Sequence, residues 1–173
     1  MDKKEIGRSK QALAEEARRR ASDYELQCHG CGQCTLLALQ EVLGLEDELV
    51  FKSASSLCGG IAFERKLCGA LTTGLMVLGM KFGRANIQEG LPGILNGLVP
   101  AHKLMRRFEQ EFGSTVCGEI MGGGTDQPSE EQLRAMIANP EAVEEMSREI
   151  IAKCAEVVGK TAAMVIEVIS EES

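Results

Sequence analysis

PAHKLMRRFEQEFG, at residues 100–113, is the stretch that decides the fold class of this chain. Its apolar residues Leu104, Phe108 and Phe112 recur at every fourth position, which places them on one face of an α-helix. After a loop containing Pro92, Pro100 suits the first turn of that helix, and Gly113 suits its carboxyl-terminal cap. The spacing therefore predicts an amphipathic helix that packs against an apolar core.

The rest of the chain has the same helical character. No segment alternates apolar and polar residues as a half-buried strand does. Aromatic residues make up 3% of the 173 residues, Trp is absent and Met occurs eight times, which favours close-packed helices with an aliphatic core. We predict an all-α fold without a significant sheet, a compact bundle of about six to eight helices in one cysteine-rich domain. Its expected parts are an N-terminal helical extension (1–25), a core with most cysteines (28–121) and C-terminal helices (128–173).

A glycine-rich helix is predicted over CGALTTGLMVLGMKFG, residues 68–83. Its glycines recur every four to five residues, at Gly69, Gly74, Gly79 and Gly83. Each glycine inside a helix costs about 1 kcal/mol relative to alanine, and a close contact between two helix backbones would offset that cost. We expect a homodimer that forms through this helix or through the terminal helices.

Charge and hydropathy narrow the choice of compartment and partner. The net charge of −7 opposes a general attraction to nucleic acid or to anionic membrane surfaces. The N-terminus lacks the apolar core of a secretory signal, and no segment has the roughly 18 apolar residues of a membrane span. We therefore expect a cytoplasmic protein that binds neither nucleic acid nor membrane. In a reducing compartment, seven cysteines indicate metal ligation, redox chemistry or buried thiols rather than a disulfide framework.

Three cysteines lie near predicted helix N-termini, namely Cys34, Cys68 and Cys117. Free backbone amides and the helix dipole favour a thiolate at such positions. Arg65 and Lys66, just before Cys68, act in the same direction. We therefore expect these thiols to ionise more easily than an ordinary cysteine.

A CxxCxxC pattern occupies QCHGCGQC, residues 27–34. Gly30 and Gly32 predict that Cys28 and Cys31 lie in a turn, followed by a helix from about Gln33. The pattern matches the front of a bacterial ferredoxin run but lacks its fourth cysteine.

Ligands from elsewhere would then complete such a site. Cys58, which precedes a flexible Gly-Gly pair, is the nearest candidate, and His29 is a further possible ligand. Reversible thiol–disulfide exchange and structural zinc remain alternatives to an iron–sulfur cluster. The glycine-rich stretches fit no nucleotide-binding pattern, and no hydrolase motif is present.

Several stretches together resemble one protein family, the C_GCAxxG_C_C family of redox-active proteins. They are QCTLLALQEVLGL, CGGIAF, LCGALTTGLMVLGMKFGR, FEQEFGSTVCGEIMG and IAKCAEVV, which span roughly Cys34 to Cys154. The resemblance implies a helical, thiol-based protein that transfers electrons or binds a cluster. It also implies cofactor-binding residues, which are Cys34, Cys68, Cys117, Cys154, Gly59 and Gly60. Thr73 departs from the family pattern at a position where glycine is commoner.

We accordingly predict thiolate binding of an iron–sulfur cluster, of the 4Fe–4S type, for electron transfer or a redox accessory role with a redox partner protein. The four recurrent cysteines match one four-thiolate site. The other three could form a second, incomplete site that His29, a substrate or a partner subunit would complete. The candidate metal ligands are thus Cys28, Cys31, Cys34, Cys58, Cys68, Cys117 and Cys154. The alternatives are a thiol–disulfide oxidoreductase or redox sensor, in which Cys28 and Cys31, or Cys58 and Cys68, pair reversibly, and a structural protein with zinc or without metal. No residue identifies a substrate, so enzymatic activity stays open.

Overall fold

The computed structural model describes residues 3–122 and 127–172, and most of these residues are helical. Their α-helices are α1 (Lys3–Cys28), α2 (Cys31–Leu43), α3 (Glu48–Ser53), α4 (Gly69–Phe82), α5 (Gly90–Phe112), α6 (Cys117–Met121), α7 (Glu130–Ala138) and α8 (Pro140–Glu172). Short 3-10 helices cover Ala54–Leu57 and Ile87–Glu89. Over the same ranges β pairing is limited to an isolated antiparallel bridge between Leu67 and Val116. The all-α prediction is confirmed.

Within the described ranges, no helix combines the length and the apolar character that a transmembrane helix needs.

The two longest helices, α1 and α8, pack along each other. The buried residues of α1 include Ala17 and Ala21, and those of α8 include Val158 and Val165. The contact is close at Gly159, where an added Cβ would lie 2.9 Å from the carbonyl oxygen of Arg18. Small residues therefore let the two backbones approach, and α1 packs within its own chain.

Helix α4 lies at the centre of the bundle, between α2, α5 and α8. A Cβ added at Gly74 would lie 3.0 Å from both Leu104 of α5 and Val165 of α8. A Cβ at Gly79 would meet nothing within 4 Å. The predicted close approach of helices therefore occurs at Gly74 but not at Gly79, and it occurs inside one chain.

Helix α5 is longer than the sequence indicates. It begins at Gly90, so Pro92 lies in its first turn and Pro100 lies inside the helix. The expected loop around Pro92 is therefore wrong, because a proline in the first helical turn lacks only an N–H that has no partner within the helix. The predicted apolar face is confirmed, since Leu104 and Phe108 are fully buried. Gly113 caps the helix in the left-handed conformation, as predicted.

The first half of α5 and the preceding 3-10 helix expose an apolar face. No charged residue occurs between Glu89 and Lys103. We call this face the α5 apolar face, and its exposed side chains are Ile87, Leu91, Ile94, Leu95, Leu98 and Val99.

Candidate functional site

The fold brings all seven cysteines into one cluster, although they lie in five separate stretches of the chain, at 28–34, 58, 68, 117 and 154. Cys31 interacts with Cys58, Cys68 and Cys154. Cys34 interacts with Cys28 and Cys58, and Cys68 interacts with Cys117. All seven are free thiols: Cys31, Cys34 and Cys68 are buried, Cys58, Cys117 and Cys154 are half-buried, and Cys28 is exposed. The sequence identifies the candidate thiols, and the fold makes them neighbours.

A two-residue turn joins the first cysteines. Cys28 is the last residue of α1 and Cys31 is the first residue of α2, so the turn consists of His29 and Gly30 alone. Both turn residues have left-handed backbone angles, with φ of 58° and 103°. The expectation that Cys28 and Cys31 lie within a turn is therefore wrong, because helix extends to both cysteines. Cys34 lies in the first turn of α2, and its thiol donates a hydrogen bond to the carbonyl oxygen of His29 at 3.4 Å.

The segment after Cys58 has an unusual left-handed backbone. Gly59 and Gly60 have φ of 64° and 75°, and the next three residues continue with φ of 65°, 52° and 62°. A left-handed conformation costs a residue other than glycine about 1–2 kcal/mol, so the surrounding contacts must hold the segment in place. Two such contacts are hydrogen bonds from the α6 amides of Cys117 and Gly118 to the carbonyl oxygens of residues 66 and 65, at 2.6 and 3.0 Å.

Gly60 is the position where this segment comes closest to α6. A Cβ added there would lie 2.6 Å from the Cβ of Cys117. Gly59 and Gly60 thus shape the backbone between two cysteines, and their predicted part in cofactor binding stays a prediction.

Two helix N-termini direct backbone amides at sulfur atoms. The amides of Ala70 and Leu71 in α4 bond the sulfur of Cys68. The amides of Gly32 and Gln33 in α2 bond the sulfur of Cys58. Such N–H donors stabilise a thiolate or a metal-bound sulfur.

The contact between α4 and α2 requires a glycine. A Cβ added at Gly69 would overlap the carbonyl oxygen of Leu57 and lie 2.8 Å from the sulfur of Cys31. Gly69 therefore lets the N-terminus of α4 and the Cys31 thiol lie side by side.

The thiols at helix N-termini ionise less easily than an ordinary cysteine, contrary to the sequence-based expectation. Burial raises the pKa of Cys68 to about 11, in spite of the amides of Leu71 and Ala70. Burial likewise raises the pKa of Cys117, although the charge of Arg65 lowers it. For Cys34, burial and then the carboxylate of Glu25 raise the pKa. The helix termini do favour the thiolates, but the loss of water outweighs them.

Contacts among the thiols add to this effect. The pKa of Cys58 is raised first by its hydrogen bond to Cys31 and then by burial. That of Cys31 is raised first by its hydrogen bond to Cys154. The same bond lowers the pKa of Cys154, but burial and the Glu25 carboxylate bring the net change upward. A second or third thiolate in this cluster is therefore unfavourable unless a positive charge joins it.

Sequence reasoning missed a buried carboxylate in the cluster, that of Glu25. Its side chain lies beside Cys34, Cys154 and the amide of Gly30, and burial raises its pKa. The residue is 4% exposed. A signal was present in the sequence, because Ala17, Ala21 and Glu25 follow one another at four-residue spacing on the buried stripe of α1.

The ring nitrogens of His29 contact oxygen atoms of Glu25 and Glu144. Nδ1 lies 2.9 Å from the carbonyl oxygen of Glu25, and Nε2 lies 3.4 Å from the carboxylate of Glu144. Both ring nitrogens therefore have partners outside the thiols, and ligation by His29 would require one of these contacts to break.

The donor set fits a metal centre in its chemistry. Thiolates are the ligands of iron–sulfur clusters and of structural zinc, and seven lie together here. Within the described ranges, however, no three His, Cys, Asp or Glu side chains already surround one point as metal ligands would. Ligation would therefore require side chains to reorient around the ion or cluster.

A surface cavity of about 740 Å³ lies elsewhere, between α1, α5 and α8. Its lining includes Lys10, Glu111 and Lys160 but no cysteine. This groove therefore offers no access for a substrate to the thiols.

Comparison with known proteins gives a match to a protein family. The sequence model of a family described as "Putative redox-active protein (C_GCAxxG_C_C)" matches residues 29–168. These residues include every cysteine except Cys28, and they exclude Glu25. No curated protein matches the chain, and no solved structure matches it either. The family resemblance drawn from the sequence is confirmed.

Proposed function

Because the chain belongs to the C_GCAxxG_C_C family of redox-active proteins, we propose that its thiols bind an iron–sulfur cluster of the 4Fe–4S type for electron transfer. The observation that carries this proposal is the meeting of seven free thiols, from distant parts of the chain, in one largely buried cluster. When bound, the cluster would accept and donate single electrons. The protein supplies the thiolates, excludes water and sets the local charge.

The raised pKa values of the thiols support a metal centre over thiol–disulfide exchange. An exchange enzyme needs a nucleophile with a lowered pKa. In this cluster the pKa values of Cys34, Cys58 and Cys68 are all raised. A metal ion or cluster supplies the positive charge that releases these thiol protons, so metal binding and thiol ionisation favour each other.

The backbone amides support an anionic centre. Those of Ala70 and Leu71 would stabilise the sulfur of Cys68, and those of Gly32 and Gln33 would stabilise the sulfur of Cys58. Hydrogen bonds to ligand sulfurs lower the energy of the more negative, reduced state and thereby raise the reduction potential. The recurrent cysteines Cys34, Cys68, Cys117 and Cys154 are the proposed principal ligands.

The partial exposure of the cluster supports electron exchange with another protein. Cys28 is exposed, and Cys58, Cys117 and Cys154 are half-buried, so the centre reaches the protein surface. A short path to the surface is what transfer to a redox partner protein requires.

Association of two copies is a further part of the proposal. The α5 apolar face exposes side chains such as Leu95 and Leu98, about half of each being accessible. An apolar face this continuous is typical of an interaction site. A second copy suits it, because an uncharged apolar surface is complementary to itself across a two-fold axis.

The test of the proposed centre is anaerobic purification and reconstitution with iron and sulfide, followed by visible absorption and by iron and sulfide analysis. We expect a coloured protein with matching amounts of iron and acid-labile sulfide. A colourless, iron-free protein would refute the cluster. Zinc bound at one ion per chain would favour the structural alternative. Reversible loss of two hydrogens between Cys31 and Cys58 or Cys154, detected by mass spectrometry, would favour disulfide chemistry.

A further inference from the structure

The carboxylate of Glu25 lies within the thiol cluster, next to Cys34 and Cys154. Glu25 belongs to the last turn of α1, three residues before Cys28. With 4% of its surface exposed, it is surrounded by protein. Moving a carboxylate from water into such a place is costly unless a counter-charge or a full set of hydrogen bonds compensates.

One oxygen of this carboxylate has no hydrogen-bond partner. Oε2 is buried and accepts no hydrogen bond from the described part of the chain. The thiols of Cys154 and Cys34 and the Gly30 amide hydrogen-bond to the carboxylate, but burial outweighs them, and the pKa of Glu25 is raised. A thiol is a weak donor, and that of Cys34 also donates to the carbonyl oxygen of His29. The group is therefore incompletely solvated by the protein.

The charges that face Glu25 do not supply the missing partner. The nearest ionisable neighbours besides His29 are thiols, which become negative when they ionise. His29 directs one ring nitrogen to the Glu25 carbonyl oxygen and the other to Glu144. A cation placed among the sulfurs would satisfy the oxygen and the thiolates together.

We propose that Glu25 is an oxygen ligand of the metal centre, so that the site is a mixed thiolate and carboxylate site. This inference rests on the proposed function. Iron and zinc accept carboxylate oxygens as well as thiolates, and a mixed set gives one metal position a different electronic environment from the others. The family match begins at residue 29, so this ligand would be a property of the α1 segment that precedes it.

The experiment compares Glu25→Gln with the wild-type protein after anaerobic reconstitution with isotopically enriched iron and sulfide. Gln has the same shape but a neutral side chain that binds metal poorly. Glu15→Gln is the matched control, since Glu15 is an exposed carboxylate on the same helix. Mössbauer spectroscopy distinguishes the iron environments, and competition with a chelator measures how firmly the site holds its iron.

In the wild type and in Glu15→Gln, we expect one iron site distinct from the thiolate-bound iron. In Glu25→Gln this site should be lost, and iron should pass to the chelator about 10-fold faster or more, the usual minimum when a supporting group of a metal site is removed. An unchanged spectrum and unchanged iron retention in Glu25→Gln would overturn the assignment of Glu25 while leaving the iron–sulfur centre intact.

The spectrum of the wild-type protein is a second, independent test of the assignment of Glu25. If Glu25→Gln does not fold, as circular dichroism would show, the wild-type spectrum alone decides, and uniform sulfur-bound iron overturns the proposal. A wild type that retains no iron at all refutes the proposed function itself, and the assignment of Glu25 with it.

Discussion

Replacing Gly69 by alanine tests whether the contact between α4 and α2 organises the thiol cluster. Gly69 is the first residue of α4, directly after Cys68. The added methyl group would overlap the carbonyl oxygen of Leu57 and lie 2.8 Å from the sulfur of Cys31. The carbonyl belongs to the backbone and cannot rotate away, so α4 or the 3-10 helix before Cys58 must move.

The size of the effect follows from two opposing contributions. Overpacking of a well-packed contact costs about 1–3 kcal/mol. Alanine gains up to about 1 kcal/mol over glycine inside a helix, but less at the first helical position, where Gly69 lies. We therefore expect Gly69→Ala to lower the free energy of unfolding by about 1–3 kcal/mol.

Gly79→Ala is the matched control in the same helix. Gly79 is exposed, and a Cβ added there meets nothing within 4 Å. Only the helix preference remains, so the free energy of unfolding should rise by about 1 kcal/mol. At about 2–4 °C per kcal/mol for a chain of this size, the melting temperatures of the two variants should differ by at least about 4 °C.

Thermal and urea unfolding of the metal-free proteins provides the stability measurement, and iron content after reconstitution provides the second one. Gly69→Ala should bind less iron because the Cys31 sulfur is displaced, whereas Gly79→Ala should bind as much as the wild type. If Gly69→Ala is as stable as Gly79→Ala, the tight contact of Gly69 with the Leu57 carbonyl and the Cys31 sulfur does not exist and the reasoning is refuted.

Three further predictions concern the ligands, the thiol protons and the α5 apolar face. Cys34→Ala should lose more iron than Cys28→Ala, because Cys34 is buried while Cys28 is exposed; equal retention on iron analysis would contradict the assignment of Cys34. Burial raises the pKa of Cys68 from 9.0 to about 11 in the folded, metal-free protein, so the unfolded chain releases that proton first and stability falls as the pH rises from about 9 to about 11. This thiol alone contributes about 2–3 kcal/mol over that window, and a urea midpoint that is equal at both pH values would disprove the burial of its proton. Leu95→Glu should convert a dimer to a monomer in size-exclusion chromatography with light scattering, and an unchanged mass would exclude this face as the dimer contact.

Much of the helical architecture was predictable because it depends on local spacing. The four-residue recurrence of Leu104 and Phe108 marks a buried face whichever partner covers it, and both side chains are fully buried. Gly44 and Gly113 end their helices in the left-handed conformation that glycine adopts most easily. The start of α5 was missed because proline within the first turn is compatible both with a loop and with a helix.

The chemistry of the site was less predictable because it depends on residues far apart in the chain. The positions of Cys34, Cys68 and Cys117 at helix starts were correct, but the expected easy ionisation was wrong. A helix N-terminus is a local property, whereas the loss of water at that terminus depends on what the rest of the chain packs over it. Glu25 was missed although its spacing from Ala17 and Ala21 indicates a buried position, because only the tertiary structure shows that thiols face its side chain.

The sequence by itself determined the all-α class, the thiol-rich composition and the family. The tertiary structure decided which sulfurs are neighbours, which backbone amides bond them and how little water remains around them. Helix formation depends on interactions between residues a few positions apart, and the amino-acid sequence specifies these directly. The energy of a buried thiolate or carboxylate depends instead on every charge and dipole that folding brings near it, so only the packed chain defines it.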